Sequence, residues 1–109
     1  MKYAFCLIAL MAVTQSFAAG SVSAHITSVR VDSTGTGIIY FDQPIGGTPP
    51  TCVQSGYTNA LSFDTNTVGG RAILAAALAD KAEGNQIYAM GTGTCTIYAN
   101  TVENLSFAD

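Results

Sequence analysis

The stretch Asp64–Tyr98, DTNTVGGRAILAAALADKAEGNQIYAMGTGTCTIY, decides the fold because it reads as one helix feeding one strand. Val68, Leu74, Ala75, Leu78 and Ala82 recur so that an apolar stripe can face a sheet while Arg71, Asp80 and Lys81 stay wet. Asp64, Thr65 or Thr67 can cap the start, since each offers an oxygen to the unpaired first-turn amides. Gly84-Asn85 stops the helix. Gly69-Gly70 is the anomaly. Each glycine costs roughly 1 kcal/mol against alanine in a helix, so the pair predicts a frayed first turn or a very close approach of another backbone. Gln86–Met90 then alternates Ile87 and Ala89 against Tyr88 and Met90, the period of a strand. Gly91-Thr92-Gly93-Thr94-Cys95 lacks the Gly-Lys-Ser/Thr ending of a phosphate loop and precedes no helix, so it reads as a bend that delivers Cys95.

Outward from this core, Ser21–Asp32 is rich in β-branched residues and alternates, with Val22, Ala24 and Ile26 on one face. The phase changes before Val29 and Val31, which predicts a bulge or bend. His25 falls on the opposite face, where it reads as a solvent-facing strand residue. Asp32–Gly37 is turn chemistry, so Ile38–Phe41 is the returning strand of a hairpin. Pro44 opens an irregular connection that runs to about Asn59 and contains Cys52. Ala60–Asp64 is a short third strand with Leu61 and Phe63 on one face. After the bend, Thr96-Ile97-Tyr98 and Leu105-Ser106-Phe107 predict a fifth strand, split around Ala99-Asn100-Thr101. Asn104-Leu105-Ser106 matches the N-glycosylation triplet within that strand.

The first residues read as an export signal. Lys2 precedes the charge-free apolar run Tyr3–Val13, shorter than the roughly 20 residues of a membrane span, and Ser16-Phe17-Ala18 fits the small-x-small rule. Cleavage is expected after Ala18, with Ala19 or Gly20 as neighbouring options, leaving 19–109 as a single domain in the periplasm or outside the cell. Cys6 leaves with that segment. Cys52 and Cys95 remain, and two cysteines in an exported chain predict one disulfide. The mature chain carries Arg30, Arg71 and Lys81 against seven carboxylates, a net charge of −4. Three scattered cations do not build a phosphate-binding surface, so neither nucleic acid nor an anionic membrane is an expected partner.

Strand, strand, strand, helix, strand, strand is the element order of a small α+β, mostly β, OB-like fold. It is a five-stranded curled barrel with one helix between strands 3 and 4. The segment Ala75–Ala82, the turn Gly84-Asn85-Gln86, the Ile87-Tyr88 pair and Gly91–Cys95 resemble the exported B subunits of subtilase-cytotoxin and pertussis-like bacterial toxins. The resemblance spans roughly Ile38–Phe107 and implies a ring of subunits that binds host glycans. No sugar-contacting residue of that family carries over to a position of this chain.

An enzyme is hard to assemble from these residues. One histidine and no spare thiol give neither a His-supported nucleophile nor a three-ligand zinc site, and no cofactor is expected. Asp32 and Asp42 flank the first hairpin, and a glycosidase-like carboxylate pair would have to come from them. The expectation is a non-catalytic binding module for a glycan or a protein, with homo-oligomerisation open. Tyr40, Tyr57, Tyr88 and Tyr98 are its candidate contacts, because a tyrosine ring stacks on a sugar or apolar patch while its hydroxyl hydrogen-bonds. The alternatives are an inhibitor that binds one protein partner, or self-assembly through an exposed first or fifth strand.

Overall fold

The computed structural model describes residues 19–109, so the expected signal peptide 1–18, Cys6 included, lies outside the described residues. Strand β1, Gly20–Val31, buries Val22, Ala24 and Ile26 and exposes Ser23 and His25. Its pairing with β2, Thr36–Phe41, shifts register between Ile26 and Ser28. That bulge re-phases the strand so that Val29 also packs on the main core. The two-residue β3, Gly46–Gly47, adds onto the start of β1 from within the long connection.

β4, Ala60–Asp64, pairs with β2; β5, Gln86–Gly91, pairs with β1; and β6, Leu105–Ala108, pairs with β5. The order β4-β2-β1-β5-β6 curls on itself. A parallel bridge joins Ser62 to Asn104, where the Ser62 amide donates to the Glu103 carbonyl at 2.8 Å. The result is an OB-like barrel with β3 as an added sixth strand. β1 is paired on both sides, so it is not the free edge expected for assembly; β6 pairs along its length only with β5.

Helix α1, Val68–Glu83, begins where Thr67 accepts the Gly70 amide at 2.9 Å and ends at Gly84 in the left-handed region, φ 72°. The expected stripe is corrected. Gly70 and Ala77 are buried and Ile73 and Leu74 pack on the core, whereas Val68 is 78% exposed, Leu78 50%, and Ala75 and Ala82 face water. The helix touches the barrel through one narrow line, and alanines let its other faces stay exposed at low cost.

The fifth strand is shorter than expected. Thr96–Tyr98 is not part of it: Tyr98 bridges to Val102 around Ala99 and Asn100, both at positive φ, so this segment is a tight loop and only 105–108 is strand. The loop lies on the outer face of β2 and β4. Ile38, Ala60 and Val102 form a second small core there, and Ser62 beside them is fully buried. β4 therefore buries both faces, its inner one through Leu61 and Phe63 and its outer one through Ala60 and Ser62. Cys52 and Cys95 are bonded, with Cα atoms 6.2 Å apart, which ties the long connection to this loop.

Candidate functional site

On the outer face of the first hairpin, register places Ser28 opposite Tyr40 and Arg30 opposite Ile38. Arg30 and Tyr40 are thus diagonal neighbours across the ladder, within reach of long side chains. Asp32 follows at the turn. Arg30 Nε donates to Asp32 Oδ1 at 2.8 Å and its Nη2 to Oδ2 at 3.3 Å. This hydrogen bonding to Asp32 and its charge, with a smaller contribution from Tyr40, hold the guanidinium above its ordinary pKa. The Tyr98 hydroxyl donates to the same carboxylate, and the guanidinium carbon lies 5.9 Å from the Tyr98 ring centroid. Tyr57, from the short 3-10 turn Ser55–Tyr57, completes the group. Tyr40, Tyr57 and Tyr98 are all half-buried against Ile38, Ala60 and Val102, so three of the candidate tyrosines share one face.

Tyr88 does not join them. It sits on the outer side of β5, 38% exposed, 6.0 Å from the ring of Phe107, itself 44% exposed. Next to Phe107 an open groove runs between α1 and β6. Its two joined depressions, about 340 and 390 Å³, share Gly69, Ile73 and Ser106. Phe63 and Leu105 line one end, Ala76 and Ala108 the other.

The groups that carry hydrolytic chemistry stay apart. Asp42 accepts the His25 amide at 2.9 Å and lies 3.3 Å from its Nδ1, on the surface. Asp32 belongs to the opposite end of the same ladder, so the two carboxylates flanking the hairpin form no pair. Among the described residues no three His, Cys, Asp or Glu side chains cluster as a metal site.

Two buried polar residues escaped the sequence reading. Asn104, expected as a strand residue in a glycosylation triplet, is buried and knits the loop: its amide donates to Thr94 at 3.1 Å and Thr96 at 2.6 Å, and its oxygen accepts the Ile97 amide at 3.0 Å. Glu103 is 1% exposed at one end of the barrel. Gly20 and Gly91 stand in the inward register of β1 and β5, and a Cβ on either would collide with its carboxylate. Glycines ending strands on the inward phase were the one available signal for it. Compared with protein-family models, with curated proteins and with solved structures, the chain matches none.

Proposed function

We propose that this chain is an exported, non-catalytic binding module, and that it recognises a neutral glycan or the polar edge of a protein through the face bearing Tyr40, Tyr57, Tyr98 and Arg30. The observation that carries the reading is the convergence of three tyrosines from β2, the long connection and the 92–104 loop beside one Arg–Asp pair. Rings that offer flat apolar area, with hydroxyl, guanidinium and carboxylate groups at their rim, match a sugar's alternation of C–H faces and hydroxyls. Replacing Tyr40 and Tyr57 together by alanine is expected to abolish retention on a glycan array while circular dichroism stays native. Retention unchanged by the double substitution would remove this face from consideration.

A second reading has its own support in the apolar surface formed by Phe107, Tyr88 and the groove beside α1. Such a patch, bordered by the one-sided strand β6, suits a single protein partner or a second copy of the chain. Light scattering after size-exclusion chromatography separates the two: a ring or dimer supports assembly, and a monomer near 9 kDa leaves the protein partner.

A further inference from the structure

Glu103 has only one of its two carboxyl oxygens accounted for. Oε2 accepts the Gly20 amide at 3.0 Å and the Gly93 amide at 2.9 Å. Oε1 is buried without a hydrogen-bond partner, 2.6 Å from where a Cβ on Gly20 would stand. A carboxylate taken out of water with an empty oxygen is unfavourable unless a cation or donor faces it. The surrounding elements reach it through Gly20 of β1, Gly91 of β5, Gly93 of the following loop and Ile45 of the long connection, none of which ionises. The cations of the described chain are elsewhere: Arg30 on Asp32, Arg71 on the Thr65 carbonyl, Lys81 at the exposed end of α1.

The empty oxygen lies beside the place where a new cation arises if the chain is processed. We propose that cleavage between Ala18 and Ala19 creates the partner of Glu103, the α-ammonium of Ala19, which closes a buried ion pair on Oε1. Hydrolysis breaks the Ala18–Ala19 C–N bond; water gives its oxygen to the Ala18 carboxylate, and the freed amine is protonated. Thr48 already donates to the Ala19 carbonyl at 3.0 Å, so the residue is anchored while rotation about its Cα–C bond can swing the freed amine. That rotation keeps the amine on the order of 3 Å from the Gly20 nitrogen, which is itself on Oε2. Before cleavage the same nitrogen is an uncharged amide. Removal of the leader thus strengthens the fold it releases.

The proposal rests on the export reading for the cut, and the test separates them. The full chain is expressed in a bacterial host and the recovered protein sequenced from its amino terminus. Its unfolding is compared with that of a variant carrying one serine inserted after Ala18, each with and without Glu103→Gln. The insertion is expected to lower the folding equilibrium constant at least tenfold at pH 7, and to have no effect with Glu103→Gln. By ¹⁵N NMR the Ala19 amine is expected to titrate above the ordinary range of about 7.7–8.0, so the advantage is full below about pH 8 and fades as pH rises through the raised value. An equal effect of the insertion in both backgrounds, or an amine titrating in its ordinary range, overturns the ion pair. Should Glu103→Gln not fold, the titration alone decides. A recovered chain beginning elsewhere than Ala19 overturns the processing site. A chain left uncut removes the export reading, and a protease site engineered before Ala19 then releases the same amine for the Glu103 test.

Discussion

Gly70 packs so tightly on Asp64 that a Cβ there would overlap the Asp64 carbonyl oxygen, while a Cβ on Gly69 would meet nothing within 4 Å. Adjacent glycines in one helical turn therefore answer to opposite demands. Gly70→Ala is expected to cost about 2–3 kcal/mol or to prevent folding. Gly69→Ala is expected to stabilise by about 0.5–1 kcal/mol, since it removes only unfolded-chain freedom. Urea midpoints of the two variants check the contrast.

The helix face inverts a second pair. Ala77 is buried against the barrel and Leu78 is half exposed. Ala77→Leu overpacks the contact line and is expected to cost about 1–3 kcal/mol, whereas Leu78→Gln stays within about 0.5 kcal/mol of the parent, both by thermal melting.

The Cys52–Cys95 bond spans 43 positions. In the chain-entropy model its loss destabilises by roughly 4 kcal/mol, so dithiothreitol is expected to lower the denaturant midpoint sharply and raise the unfolding slope.

Tyr98 ties the 92–104 loop to the first hairpin through Asp32. Tyr98→Phe keeps the ring and loses the hydroxyl, for an expected cost of about 1 kcal/mol at this half-exposed site. Faster amide exchange in the loop, with the core strands unchanged, is the measurement that checks it.

Asn104 makes its side-chain bonds inside the fold. Asn104→Ala is expected to cost about 2–3 kcal/mol because Thr94, Thr96 and the Ile97 amide lose their partner. Peptide mass spectrometry of folded protein from a glycosylating host is expected to find Asn104 unmodified.

What was legible in the chain was whatever is decided locally. The bulge between Ile26 and Val29, the turn at Asp32–Gly37, the stop at Gly84 and the Ile87/Ala89 alternation follow from neighbours along the sequence. The disulfide followed from the expectation that Cys6 leaves with the leader, which left Cys52 and Cys95 to pair. The helix stripe was misread because α1 meets the barrel along Gly70, Ile73, Leu74 and Ala77, a line two of whose members are too small to mark it in the sequence, so bulky Val68 and Leu78 are outside it.

The candidate face was legible in its residue types and not in its grouping. Tyr40, Tyr57 and Tyr98 meet only because a loop folds across β2 and β4, and nothing near Tyr88 in sequence says that it does not. Glu103 was invisible for the same reason: its surroundings come from residues 20, 45, 91 and 93, with Gly20 at the far end of the domain.

The central place of β1 sets an order of events during folding. Its hairpin partner β2 emerges within about ten residues, but β5, which covers its other edge from Ser21 to His25, emerges only after α1. Until then the first half of β1 has a bare strand edge and carries Val22 and Ala24 uncovered. Wherever folding takes place, the chain therefore holds an adhesive edge open until its last third docks, and its vulnerability to aggregation ends when β5 arrives.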